Sequence, residues 1–108
     1  MANHYKLTCD KTEINAVYSN PKGDLARISL TYDKIVSISF DKCEERKLFK
    51  KLPSEKITLR VRGMGEPIEY YKLREGEYFE SYKRDFEKFA RDNRITFYNN
   101  LDKEQDDI

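Results

Sequence analysis

An order of patterns limits what this chain can fold into more than any single residue does. Short stretches of period-two alternation run from Tyr5 to Leu73, and one strongly amphipathic segment follows from about Glu77 to Asp92. Alternation at period two puts apolar side chains on one side of a strand, so each early stretch asks for a sheet with one face covered. The later segment carries Phe79, Tyr82, Phe86 and Phe89 at spacings of three, four and three. At about 100° per residue these rings fall within an arc of roughly 80°, a narrow aromatic seam with Glu80, Arg84, Lys88 and Arg91 on the far side. A half-buried sheet and a helix with one apolar stripe bury each other, and the chain offers one candidate for that helix.

Along the early part, Tyr5, Leu7 and Cys9 alternate with polar neighbours, and after Asp10-Lys11-Thr12 the alternation resumes at Ile14, Ala16 and Tyr18. Two antiparallel strands joined by a tight turn fit this. Ser19-Asn20-Pro21-Lys22-Gly23-Asp24 makes the next turn, where Pro fixes one dihedral and Gly supplies a positive one. Ala26, Ile28, Leu30 and Tyr32 then share a face, and Val36, Ile38 and Phe40 keep their parity, as one long bent strand or as two around a kink at Asp33. From Asp41 to Ser54 the alternation dissolves into Lys, Arg and Glu around Leu48, Phe49 and Leu52, with Pro53 near the end, and the segment reads as a loop with a short helical or strand-like insert. Ile57, Leu59 and Val61 alternate with Thr58, Arg60 and Arg62 as a strand. Arg62-Gly63-Met64-Gly65-Glu66-Pro67 turns the chain into a returning strand with Ile68 and Tyr70. Gly76 precedes the helix, Asn93 is placed to be its left-handed stop, and Ile95 and Phe97 add a last strand or anchor the chain against the sheet.

A length of 108 residues suits one domain, expected over residues 1–101, with the acidic segment 102–108 as a disordered tail. Charged residues equal apolar ones at 38% each, a balance that suits a thin sheet with one wet face. The expected fold is mainly β, of the α+β kind: an antiparallel sheet or partly open barrel of six to seven strands with one C-terminal amphipathic helix. That order resembles the pleckstrin-homology (PH) superfold, and especially its small bacterial PH-like members. Ile28-Ser29-Leu30-Thr31-Tyr32-Asp33-Lys34-Ile35-Val36-Ser37-Ile38 is similar to their polar bend followed by an isoleucine and a next strand. The resemblance spans Tyr5 to Phe97 and implies a non-catalytic scaffold that binds lipid headgroups, peptides or copies of itself. The basic insert from Asp41 to Ser54 and the continuation from Ile95 to Leu101 depart from the pattern.

Residue chemistry points away from catalysis. His4 is the single histidine and lies near the terminus, so an imidazole base with an orienting carboxylate and a facing nucleophile is not expected. His4, Cys9 and Cys43 lack the paired short spacings of a zinc site, both cysteines read as reduced thiols, and no cofactor is implied. Arg62-Gly63-Met64-Gly65 lacks the strand-to-helix context and the Lys-Ser/Thr ending of a phosphate loop. No apolar run approaches the ~20 residues of a membrane helix, and Met1 to Asp10 lacks the apolar stretch of a secretory signal, so a cytoplasmic protein is expected. The net charge of +1 gives no global attraction to nucleic acid or membrane, which makes any electrostatic binding local.

The local feature lies between Lys42 and Arg62, where eight cations face three acids. If Ile57, Leu59 and Val61 point inward, Arg60 and Arg62 share the outer face, where Lys47, Lys50 and Lys51 of the insert can join them in a surface for a phospholipid headgroup or a nucleic acid backbone. The competing reading is a solvated loop whose charges discourage edge pairing. Tyr70, Tyr71 and Tyr78 flank the turn into the helix, and alternation sends Tyr70 and Tyr71 to opposite faces; an exposed ring there suits a protein partner or self-association, and partial burial with a wet hydroxyl explains it equally well.

Overall fold

The computed structural model describes residues 7–19 and 22–101. His4, Tyr5, the central residues of the turn at Ser19–Asp24 and the acidic segment 102–108 lie outside the described residues. The elements in order are β1 (Leu7–Cys9), β2 (Glu13–Ser19), β3 (Leu25–Thr31), a 3-10 turn (Tyr32–Lys34), β4 (Ile35–Lys47), β5 (Lys50–Val61), β6 (Ile68–Tyr71), a one-turn helix α1 (Lys72–Glu75), the main helix α2 (Tyr78–Asn93) and β7 (Thr96–Asn99). The chain is mainly β, with two sheets that do not close into a barrel.

The first sheet is an antiparallel meander, β1-β2-β3, in which Leu7 lies beside Ala16 and Ala16 beside Ile28, while Cys9, Ile14 and Leu30 form the next row. These rows are the period-two face read from the sequence, and Leu7, Ile14, Ala16 and Leu30 are buried. The second sheet has the order β6-β5-β4-β7. Its inner rows run Phe97, Ile38, Leu59, Ile68 and then Phe40, Ile57, Tyr70. Phe40 meets Phe97 edge to face, with ring centroids 4.9 Å apart.

Between the sheets the chain turns through the 3-10 segment, where the sequence left one strand or two open. A bulge follows: Ile35 pairs with Val61 but Ser37 pairs with Arg60, so Val36 is an extra residue. An extra residue reverses the parity. Ile35 is therefore buried and Val36, read as inward, is exposed; Tyr32, also read as inward, is exposed because it lies in the 3-10 turn rather than on a strand.

Helix α2 lays Phe79, Tyr82, Phe86 and Phe89 into the core, as its spacing demands, and touches β1 of the first sheet and β4 and β7 of the second. Gly76, at φ +63°, joins α1 to α2 in a conformation that side chains resist, and the Phe79 N–H donates to its carbonyl. The helix stops one residue later than expected. Arg94 rather than Asn93 takes the left-handed conformation (φ 57°), because the Asn93 amide is used elsewhere: it donates to the Phe89 carbonyl at 3.0 Å and to the Lys11 carbonyl at 2.7 Å, fastening the β1–β2 turn to the helix end. After it, β7 runs parallel to β4.

Tyr70 joins the two sheets. Its ring is buried against Tyr82 and Phe86, and its hydroxyl donates to the Val17 carbonyl of β2 at 3.3 Å. Burial pushes the phenol well above its ordinary range, which keeps it a neutral donor. Truncating a fully buried ring removes its transfer energy and leaves a cavity, so Phe86→Ala is expected to cost about 3–5 kcal/mol in a urea unfolding titration. Phe49→Ala, at a fully exposed ring, is expected to stay within about 0.5 kcal/mol.

Candidate functional site

Where the sequence suggested a loop with an insert, the structure has one continuous hairpin. β4 and β5 stay paired from Asp41 opposite Lys56 to Lys47 opposite Lys50, leaving a two-residue turn of Leu48 and Phe49. β7 pairs with β4 only over Ser37 to Phe40 and β6 with β5 only over Lys56 to Leu59, so beyond these residues the hairpin is a two-stranded arm. Six residues in each arm strand at about 3.4 Å apiece give it a reach of roughly 20 Å. Pro53, which has no N–H to donate, sits where β5 has no second neighbour.

Isolated two-stranded ribbons are marginal in water, and this one is braced at its base. The Glu45 carboxylate accepts from the Ser54 hydroxyl and from the Leu73 N–H at 2.9 Å, tying the arm to α1. Glu55 pairs with Lys83 of α2 at 3.1 Å, and Lys56 pairs with Glu69 of β6 at 3.2 Å. Two of the three acids between Lys42 and Arg62 are thus committed to bracing.

The tip is built differently. Lys47 stands opposite Lys50 and Arg46 opposite Lys51, two successive cross-strand pairs of like charge. All four residues are exposed, and none has an acidic partner among the described residues. By alternation, Lys47 and Lys50 share the face of Glu45, Leu52 and Ser54, and Arg46 and Lys51 take the other, so cations ring the tip. Beyond them Leu48 is 84% and Phe49 98% exposed. Leu48 has φ 58°, a positive value at the first turn position where glycine is usual.

Of the residues singled out from sequence, the structure brings Lys47, Lys50 and Lys51 together and leaves Arg60 and Arg62 apart from them. Nine residue steps along the strand lead from Lys51 to Arg60, roughly 30 Å. Arg60 is exposed on β5. Arg62 is bound into the 3-10 turn, its N–H donating to the Lys34 carbonyl at 2.8 Å and its Nε to the Asp33 carbonyl at 3.4 Å. Beside it, the Thr31 hydroxyl holds the Asp33 carboxyl below its usual range. Sequence reasoning missed Leu48, Phe49 and the place of Arg46. The sequence carries little signal for them, because 43–47 and 50–54 show no apolar alternation and the turn between holds no Gly, Asn or Asp.

Elsewhere the chemistry is quiet. A cleft of about 750 Å³ opens beside the β5–β6 turn, lined by Tyr18, Met64, Pro67, Ile68, Tyr71 and Arg74 among others. The Tyr71 hydroxyl there donates to Glu69 at 2.8 Å, and burial and that bond push it up to about 12. Cys9 and Cys43 are free thiols, both raised by burial, Cys9 to about 12, which disfavours the nucleophilic thiolate. Among the described residues no three His, Cys, Asp or Glu side chains gather as metal ligands, and no helix is long and apolar enough to cross a membrane. Compared with family models, curated proteins and solved structures, the chain matches none.

A turn with positive φ at its first position favours glycine there. Replacing the turn residues as Leu48→Gly with Phe49→Ser is expected to raise the unfolding free energy by about 0.5–1 kcal/mol, read from the urea midpoint. A fall in stability would show that the two side chains support the fold.

Proposed function

We propose that the protein is a non-catalytic binding module, on a scaffold like that of the PH domains, that holds an anionic partner at the tip of the β4–β5 arm. One observation carries this reading: two successive like-charged pairs, Lys47 with Lys50 and Arg46 with Lys51, stand exposed without ion pairs among the described residues. Like charges directly opposite across a ladder repel, and an anion set among them turns that repulsion into attraction. The scaffold part is supported by the order of elements, antiparallel strands in two sheets followed by an amphipathic helix across them. With a net charge of only +1, the field is local to the tip and binding is strongly screened by salt.

The test compares a triple charge reversal at the tip, K47E/K50E/K51E, with R60E/R62E at the other end of β5. Both are measured against anionic vesicles and a single-stranded oligonucleotide at low and physiological salt. The wild-type chain is expected to bind at least one probe and to lose roughly tenfold or more in affinity as salt rises. The tip variant is expected to lose binding and R60E/R62E to keep it. Unchanged binding by the tip variant, or no binding of either probe by the wild type, overturns the reading.

A second reading, self-association, is favoured by β3. Among the described residues its seven positions pair only with β2, and Leu25 on it is 72% exposed. An unpaired edge is a template for another strand. Sedimentation equilibrium decides: a concentration-dependent dimer that Leu25→Glu dissolves supports pairing through β3, and a monomer at all concentrations removes it.

A further inference from the structure

We propose that Leu48 and Phe49 form a membrane-interface anchor, entering the headgroup region of an anionic bilayer while Arg46, Lys47, Lys50 and Lys51 meet the lipid phosphates. The proposal rests on the anion-binding reading of the tip and names its partner.

Three observations converge on a lipid surface. First, Leu48 and Phe49 are adjacent and lie beyond the last ladder pair, so no backbone stands between them and whatever the arm touches. Apart from Leu25 on the β3 edge, the remaining exposed large apolar residues, such as Tyr32, Val36 and Leu73, are scattered singly along the chain.

Second, the depths match. The cations occupy two ladder steps behind the turn, about 7 Å of strand. Apolar groups of interfacial anchors sit roughly 5–10 Å into the boundary between headgroups and acyl chains. When Leu48 and Phe49 reach that boundary, the two cation pairs are level with the phosphates, and the long Lys and Arg stems let their charges stay in the wet layer.

Third, the charge along the arm changes sign behind the tip. Glu44 is exposed immediately behind Arg46, and over 41–45 and 52–56 the acids Asp41, Glu44, Glu45 and Glu55 outnumber the cations Lys42 and Lys56. A nucleic acid groove tracked along the arm would bring phosphates against these acids, and tight groove binding needs a longer row of cations. A flat anionic surface met end-on touches the cationic zone and stays clear of the acids behind it. The charge gradient therefore favours lipid over nucleic acid.

The chain contains no tryptophan, so Phe49→Trp places a single indole at the apex. The full chain is mixed with phosphatidylcholine vesicles with and without phosphatidylserine, and with an oligonucleotide. With the anionic vesicles the indole emission is expected to shift to the blue and to be quenched by lipids brominated in the acyl chain, and with neutral vesicles to do neither. Leu48→Ser with Phe49→Ser is expected to weaken cosedimentation roughly tenfold or more, with an unchanged circular dichroism spectrum. Each cation removed is expected to weaken it roughly fivefold.

If the wild type and the serine variant cosediment equally and the indole stays unquenched, insertion is overturned while the anion-binding reading stands. If the wild type ignores both vesicles but binds the oligonucleotide, the lipid assignment is overturned and nucleic acid replaces it. If it binds neither vesicle nor oligonucleotide, both readings are overturned together.

Discussion

Neither sheet of this protein closes on itself, and the aromatic seam of α2 is what their inner faces share. The helix reaches β1 on one side and β4 and β7 on the other, with Phe79, Tyr82, Phe86 and Phe89 all buried. Burying such a ring is worth roughly 1.5–3 kcal/mol, so the four together are comparable with the whole net stability of a domain this size. Tyr70 adds a directional link, because its hydroxyl reaches a β2 carbonyl from β6. The end of the helix then decides where the body of the protein stops. Arg94 turns the chain, β7 runs back beside β4 only as far as Phe40, and β6 covers β5 only from Lys56. Past those residues no further strand of the described chain flanks the central hairpin, and the arm begins.

The arm divides its charges by position. Near the base, Glu45, Glu55 and Lys56 are spent on contacts with α1, α2 and β6. The two ion pairs, Glu55 with Lys83 and Lys56 with Glu69, are partly shielded from solvent, which makes them better restraints than exposed surface pairs. At the tip, four cations are left facing one another, and an unstrained glycine turn is replaced by Leu48 at positive φ. Each of these choices opposes local stability, and all fall within six residues. A ribbon that needed only to be a ribbon has no reason to gather them there, whereas departures from local rules are expected where a surface is shaped for contact.

Much of this fold was legible because its signals are periodic and local. The seam of α2, the alternation of Ile14 with Ala16 and of Ile57, Leu59 and Val61, and the turn at Gly63 each follow from spacing that a strand or helix must obey. Val36 was misread because a bulge adds one residue to β4 and reverses the parity, which no composition rule near Ser37 announces. The arm was hidden for a different reason. Two-residue hairpins are recognised by Gly, Asn or Asp in the turn, and Leu48-Phe49 has none. Its strands alternate charged with charged or small polar residues, because outside the body there is little core for one face to meet. Lys47, Lys50 and Lys51 were within reach of sequence reasoning as a charge cluster. Their separation from Arg60 was not, since only a straight strand places them at opposite ends.

That separation bears on how the proposed contact works. A single patch containing Arg60 and Arg62 would lie along the flank of β5 and hold a partner against the body. A tip patch at the end of a roughly 20 Å arm holds it at a distance, with contact limited to six residues. Charges more than about 8–10 Å from a surface are largely screened at physiological salt, so the acids of the body do little to oppose an anion met at the apex. The near-neutral whole and the cationic tip are therefore compatible: the body adds little long-range field of its own, and the attraction is confined to the tip. Because the arm is joined to α1 through Glu45 and to α2 through Lys83, load on the tip passes to the same helix that seals the two sheets.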